Sequence, residues 1–171
     1  MFRILVLFIA SFLGLNAFAQ SPKQIEIVNA NTFEYDESIG NRAKRLLGNV
    51  IFKQDNVLMY CDSAYFYSES NSLDAFSNVH IQQGDSIHAY GEFLKYDGNA
   101  KHAELRNNVK MLDKDMTLTT DILFYDTGKN IAWYIDGGKI VNKKNISHGQ
   151  SKINSSNIRA KQLGILQIPL L

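Results

Sequence analysis

Residues 77–81 read Ser-Asn-Val-His-Ile, and a closely similar stretch occurs at two other places in the chain. Residues 48–52 read Gly-Asn-Val-Ile-Phe and residues 107–111 read Asn-Asn-Val-Lys-Met, so the three copies are almost evenly spaced. Residues 137–140, Gly-Gly-Lys-Ile, resemble a fourth start. A fixed period of this length indicates a repeat protein, in which one unit buries its apolar face only against its neighbours.

Apolar and polar side chains alternate within each unit. Residues 79–81, 87–89, 94–96 and 102–105 each carry apolar side chains at every second position. This period of two predicts short strands with one face exposed to solvent and the other buried. Each unit is expected to contain about three such strands. Turn residues such as Asp-Gly-Asn at 97–99 separate the runs, and no long helical periodicity follows residue 20. The sequence therefore predicts an all-β fold.

The first nineteen residues predict export. Arg3 precedes an apolar run that ends in Ala17-Phe18-Ala19, the small-x-small pattern of a signal peptidase site. We expect residues 1–19 to be a signal peptide cleaved near Ala19 and residues 20–142 to form the repeat domain. After residue 142 the repeat is lost in a Ser-, Asn- and Lys-rich stretch, so residues 143–171 are expected to be an irregular, truncated or disordered tail.

Charge and cysteine content exclude several classes of protein. The whole chain carries a formal charge of +1, and loss of Arg3 with the signal peptide would leave it neutral. A neutral surface gives no reason to expect nucleic acid, whose binding is driven by basic side chains. Cys61 is the only cysteine, so neither an intramolecular disulfide nor a cysteine metal cluster can form.

The repeated unit resembles the OstA-like family, which includes the periplasmic lipopolysaccharide-transport protein LptA and the N-terminal domain of LptD. The resemblance covers about residues 25–142 and lies in the recurring Asn-Val, in the aromatic stretch at 61–67, in the Leu-Thr-Thr-Asp at 118–121 and in the Tyr-Asp pairs at 96–97 and 125–126. It implies an open, V-shaped antiparallel β-jelly roll built from stacked repeats of about 29–30 residues, a length within the range of known repeat units. It also implies a location in the periplasm and leaves open an association with the outer membrane.

The same resemblance implies a function without catalysis. Proteins of this kind carry lipopolysaccharide towards the outer membrane, with the acyl chains of lipid A held in an apolar groove. Their terminal strands pair edge to edge with other jelly-roll domains of the transport bridge, copies of the same chain included. No cofactor and no metal are implied.

The inward positions of the alternation are the candidate lipid-binding residues. They are large or β-branched, and they are Val50, Phe52, Leu58, Tyr60, Tyr65, Tyr67, Val79, Ile81, Ile87, Leu94, Tyr96, Leu105, Val109, Met111, Met116, Leu118, Leu123, Tyr125 and Tyr134. In this alignment of the units Tyr60 is equivalent to Ala89. Contact with each acyl methylene is worth about 0.8 kcal/mol. From the residues alone, the same side chains could equally fill the core of a closed sandwich.

Two other functions remain open at this point. Acidic side chains occupy similar turns in successive units, so an exported β-solenoid acting on carbohydrate could bring two carboxylates together across a cleft. A structural or adhesive β-repeat without a ligand is the other alternative. Turns favour Asp in any case, His80, His88 and His102 fall at outward positions, and the histidines have no zinc-binding spacing, so we predict that the protein is not an enzyme.

Overall fold

The structure, a computed structural model, describes residues 23–35, 43–142 and 164–167. Within them all regular secondary structure is β. The strands are β1 (Glu26–Asn29), β2 (Thr32–Tyr35), β3 (Ala43–Gln54), β4 (Val57–Tyr67), β5 (Ser72–Gln83), β6 (Ile87–Asp97), β7 (His102–Asp113), β8 (Met116–Asp126), β9 (Ile131–Asn142) and β10 (Gly164–Gln167).

The strands form one antiparallel sheet in which, from β3 onwards, each strand pairs with the next along the chain. β3 to β9 follow one another as hairpins, β1 and β2 both pair with β3, and β10 pairs with β9. Each repeated unit therefore contains two long strands, and the prediction of about three short strands to a unit is wrong. The first and last strands do not pair with each other, so the sheet is open. The predicted all-β class and the open antiparallel jelly roll of stacked repeats are confirmed.

The predicted signal peptide lies outside the described residues, as does most of the predicted tail. Four residues of that tail, 164–167, form β10 and pair with residues 131–134 of β9. The predicted domain boundaries otherwise stay a prediction.

The pairing of neighbouring long strands is interrupted in its middle by a bulge, and in β3, β5 and β7 the repeated Asn lies at this bulge. Leu47 faces Ser63 and Val50 faces Cys61, so two residues of β3 lie opposite a single residue of β4. The two extra residues are Gly48 and Asn49, with φ of 74° and 49°. A two-against-one mismatch of this kind bends a strand and increases its twist.

The same bend recurs in the next two odd-numbered strands. Ser77 and Asn78 have φ of 62° and 50°, and Asn107 and Asn108 have φ of 65° and 53°. Asn is enriched in this left-handed region because its short polar side chain can bond to the nearby backbone. The Asn-Val motif that reveals the repeat is therefore the signal for the bend.

The bends divide the sheet into two limbs of five-residue half-strands. The first limb contains residues 43–47, 63–67, 72–76, 93–97, 102–106, 122–126 and 131–135. The second limb contains residues 50–54, 57–61, 79–83, 87–91, 109–113, 116–120 and 138–142. Because each strand passes from one limb to the other, the inner faces of the two limbs face each other, and the hydrophobic core lies between them.

Candidate functional site

The inner face of the two limbs is the candidate site, and apolar side chains cover it from one end of the sheet to the other. Cross-strand partners point to the same face of a sheet. One row in the second limb therefore runs Phe52, Met59, Ile81, Ala89, Met111, Leu118 and Ile140. A row in the first limb runs Leu46, Ala64, Ala75, Leu94, Leu105, Leu123 and Tyr134.

Most of the predicted groove residues lie on this inner face and are buried. They are Val50, Phe52, Val79, Ile81, Ile87, Leu94, Tyr96, Leu105, Val109, Met111, Leu118, Leu123, Tyr125 and Tyr134. Met116 shares the face of Leu118 but is only half-buried. Their burial does not test a lipid-binding role, which stays a prediction.

The inward placement of four predicted residues on β4 is wrong. Leu58, Tyr60, Tyr65 and Tyr67 are half-buried and point to the outer face, where Tyr60 stacks on His80 with ring centroids 5.3 Å apart. The buried positions of β4 are instead Val57, Met59, Cys61, Ala64 and Phe66.

A shift of one residue between the first two units explains the error. Met59 pairs with Ile81, which pairs with Ala89, so the residue of β4 equivalent to Ala89 is Met59, whereas the sequence pattern aligns Tyr60 with it. A slip of one residue moves every side chain of a strand to the opposite face. Because residues 57–60 are all apolar, the alternation of apolar and polar residues could not decide whether residues 57 and 59 or residues 58 and 60 are buried.

Cys61 also lies on the inner face of β4 and is buried. Burial raises the pKa of its thiol to about 12. The thiolate is the reactive form of cysteine, so Cys61 stays protonated and unreactive at neutral pH.

The inner face is filled by its own side chains over most of its length. The rings of Phe52 in the second limb and Phe66 in the first limb pack against each other across the core, with their centroids 5.9 Å apart. Where β9 bends, a methyl group added to Gly138 would come within 2.8 Å of the ring of Tyr134, so the interior next to this bend is closely packed. From β3 to β8 the predicted groove is a packed interior in this state of the protein.

The tips of the limbs are joined by a repeated pair of polar side chains that the alternation of the sequence does not reveal. Tyr96, in the first limb, donates its hydroxyl to Oε1 of Gln54, in the second limb, at 2.5 Å. One repeat further on, Tyr125 donates to Oε1 of Gln83 at 2.6 Å. We call these four side chains the seam.

The glutamine amides complete the seam with backbone acceptors. Nε2 of Gln54 donates to the carbonyl oxygen of Gly98 at 2.8 Å, and Nε2 of Gln83 donates to that of Thr127 at 3.1 Å. All these groups are buried, and burial raises the pKa of Tyr96 to about 12 and raises that of Tyr125 as well. Both hydroxyls therefore stay protonated, as donors, at neutral pH.

A polar pocket of about 230 Å³ lies against the seam. Its walls include Gln54, Gln83, Tyr96 and the turn residues of both limbs. At its rim Nζ of Lys101, from the first limb, lies 2.6 Å from Oδ2 of Asp55, from the second. Each of the bonds that join the limbs at their tips thus involves at least one side chain, and these bonds lie next to a space lined by polar groups.

Inner-face side chains are uncovered at the two ends of the sheet. Ile140 on β9 is 41% exposed, although its cross-strand partner Leu118 is fully buried. At the other end Phe33 on β2 is 57% exposed beside the fully buried Leu46. The apolar inner face therefore reaches solvent at its ends, while the stretch between them is closed.

The outer face and the turns hold the remaining candidate chemistry. His80 and His88 lie on the outer face with Nε2 and Nδ1 3.1 Å apart, and burial together with the neighbouring His88 lowers the pKa of His80. Asp97 and Asp126 cap their own turns by accepting hydrogen bonds from the backbone N–H groups two and three residues later. In the part of the chain that the structure describes, no three histidine, cysteine or acidic side chains converge as metal ligands.

The chain also contains, within those residues, no helix with the length and hydropathy needed to cross a membrane.

A comparison with models of known protein families shows to which family the chain belongs. The model of the family described as OstA-like protein matches residues 22–161. The chain belongs to the OstA-like family. This match confirms the resemblance found in the sequence, and it extends beyond β9 into residues of the predicted tail.

A solved structure shows the same fold as this OstA-like chain. It is the crystal structure of LptH, the LptA-homologous periplasmic component of the lipopolysaccharide transport device of Pseudomonas aeruginosa. The two structures superpose with a TM-score of 0.57 at 14% sequence identity, over 87% of this chain and 98% of LptH. A search of curated proteins gave no match.

Proposed function

We propose that this OstA-like chain is a periplasmic bridge domain that carries lipopolysaccharide, with the acyl chains of the lipid against its inner face. The observation that carries the proposal is the apolar row that crosses all the long strands and ends uncovered at Ile140. Membership of the OstA-like family and the fold shared with LptH support it. The domain carries out no catalysis in this role.

The energetics of the inner face suit a transported lipid. Each methylene removed from water gains about 0.8 kcal/mol, so a chain of about a dozen methylenes gains several kcal/mol when only partly covered. Contacts of this kind have no direction, and a chain can therefore move along the row without breaking specific bonds. Adaptable side chains such as Met111 and Met116 suit a surface that has to fit a moving ligand.

Neighbouring residues on β9 allow a matched test of lipid contact. Ile140 and Val141 are both 41% exposed, and they point to the inner and the outer face respectively. We expect a photoreactive phenylalanine analogue at residue 140 to form adducts with lipopolysaccharide in cells, and the same analogue at residue 141 to form few. Equal labelling from both positions, or none from residue 140, would contradict the proposal.

The edges of the sheet support assembly with other jelly-roll domains. The second half of β9, residues 138–142, pairs with β8 on one side and, among the described residues, with no strand on the other. Free backbone groups at a sheet edge are a template for an added strand. At the opposite edge β1 and β2 expose Val28 and Phe33. We propose that these two edges pair head to tail with related domains or with a second copy of this chain.

Crosslinking can test the proposed assembly. A photoreactive analogue at Val28 or Phe33 is expected to capture another jelly-roll domain in cells, whereas one at exposed Lys129 in a turn of the first limb is not. The absence of such a partner from both edge positions would count against edge pairing.

A structural β-repeat without ligand is the second candidate function, and the packed interior from β3 to β8 favours it. The two candidates differ in whether lipid contacts the inner face. A structural repeat without ligand gives no lipid adduct from residue 140.

A further inference from the structure

The closed seam is in conflict with a lipid lying along the whole inner face. An amphipathic lipid buries its acyl chains but keeps its polar head in water, since burial of unpaired polar or charged groups is unfavourable. Between β3 and β8 the two limbs are joined at their tips, and the space between them is filled. In this state the inner face has neither room for the acyl chains nor a route for the head.

We propose that the seam is a slit that opens when lipid enters. In the empty domain the bonds from Tyr96 to Gln54 and from Tyr125 to Gln83 hold the limbs together. When acyl chains enter between the limbs, these bonds break and the polar head lies in the opened slit. This inference rests on the proposed function and adds to it the place and the manner of lipid entry.

The seam is the weakest connection between the limbs. Elsewhere neighbouring strands are joined by ladders of backbone hydrogen bonds that are interrupted at the bends, and each strand is covalently continuous through its bend. Across the seam the connection consists of side chains that bond to one another and to two carbonyl oxygens. Separation at the tips leaves every backbone ladder intact.

The chemistry of the seam suits the open state as well as the closed one. Gln54, Gln83, Tyr96 and Tyr125 end in polar groups that water or a polar lipid head can satisfy after the limbs separate. The pocket of about 230 Å³ beside them is already lined by polar side chains. An opened slit would therefore present an apolar interior with a polar rim, which matches an amphipathic molecule.

A reversible crosslink across the seam tests the slit. Asp55 and Lys101 already meet across it, so both are replaced by cysteine and joined by a short thiol-reactive reagent that contains a disulfide. The buried Cys61 does not compete, because burial keeps its thiol protonated. Binding of fluorescently labelled lipid A to the full chain is measured before crosslinking, after crosslinking and after reduction.

The matched control joins two residues of one limb. Nδ2 of Asn99 donates to the carbonyl oxygen of Ser70 in the neighbouring turn of the first limb, and both residues are exposed. A crosslink between cysteines at these two positions uses the same reagent and leaves the limbs free to separate.

The expected result is at least a tenfold loss of lipid A affinity in the Asp55–Lys101 crosslinked protein, full recovery on reduction, and no loss in the Ser70–Asn99 control. Equal affinity with the seam crosslinked and free would overturn the slit and leave the proposed function standing. Failure of the uncrosslinked protein to bind lipid A would overturn the proposed function and the slit with it.

A substitution that weakens the seam is expected to have the opposite effect on the affinity for lipid A. Tyr125→Phe removes the hydroxyl that bonds to Gln83 and Asn130 at the seam. If the closed seam opposes binding, weakening it raises the populated fraction of the open state and tightens the apparent affinity for lipid A several-fold. Weaker binding, as expected when Tyr125 only stabilises the fold, would argue against the slit.

Discussion

Alanine substitutions at two neighbouring residues of β4 test the faces of the sheet directly. Met59 is 1% exposed and lies between Phe52 and Ile81 in the row of the second limb. Leu58, one residue earlier, is half-buried on the outer face beside the polar Lys53 and Gln82. The two side chains are similar in size and lie on the same strand, so they differ mainly in which face they occupy.

The expected losses of stability differ severalfold. Met59→Ala removes a side chain from a packed interior and leaves a cavity, which typically reduces the free energy of unfolding by about 2–5 kcal/mol. Leu58→Ala removes a half-exposed side chain and leaves no cavity, so we expect about 1 kcal/mol or less, from the loss of partial burial. At roughly 2–4 °C per kcal/mol, Met59→Ala should lower the Tm by about 4–20 °C.

Urea denaturation followed by circular dichroism gives both free energies. The slope of the free energy with denaturant should stay the same in the two variants, since neither changes the surface exposed on unfolding very much. A loss at Leu58 equal to or larger than that at Met59 would refute the placement of β4, and with it the composition of the inner face.

Three other substitutions have expected outcomes. The pKa of Tyr96 is higher in the folded state than in the unfolded chain, so its contribution to stability is complete below about pH 10 and is lost as the pH rises towards 12. The urea concentration at the midpoint of unfolding should therefore fall as the pH is raised through this range, and in Tyr96→Phe it should fall less. Gly98→Ala places a methyl group 2.8 Å from the backbone oxygen of Asn71, and overpacking of this kind should cost about 1–3 kcal/mol in the same assay. Burial raises the pKa of Asp126, but bonds from Lys129 and His102 outweigh it and the net pKa is lowered; the stabilisation is therefore present above the unfolded value near 4 and lost in acid. Asp126→Asn should be less stable than the wild type at pH 7, and the difference should shrink as the pH falls below the unfolded value; a difference that does not change with pH would exclude this linkage.

The repeat and the faces of most strands could be predicted from the sequence because they depend on local patterns. The alternation of apolar and polar residues identifies the buried face of a strand wherever the residues of its outer face are polar, as in β6 and β7. In β4 both faces are apolar, and only the pairing of Met59 with Ile81 decides between them. The repeat was visible as Asn-Val, but its role as a bend depends on left-handed backbone at Asn49 and Asn78, which no local pattern of polarity reveals.

The seam could not be predicted in this way because it joins residues 42 positions apart. Gln54 and Gln83 were nevertheless a signal. They are polar side chains that continue the inward positions of β3 and β5, and they occupy equivalent positions in successive units. A buried amide needs hydrogen-bond partners, and the two tyrosines that recur at the same interval are its natural donors. Recurring polar residues at inward positions of a repeat thus predict contacts between its units.

The bulge at each bend has a consequence for the dimensions of the molecule. Because every unit bends at the same place, an additional unit adds one hairpin in line with the others and changes neither limb. Neighbouring strands are about 4.8 Å apart, so one unit of two strands lengthens the inner face by about 10 Å. The number of copies of a short Asn-Val motif therefore sets the distance that such a domain can span, and that distance can be changed in steps of one unit.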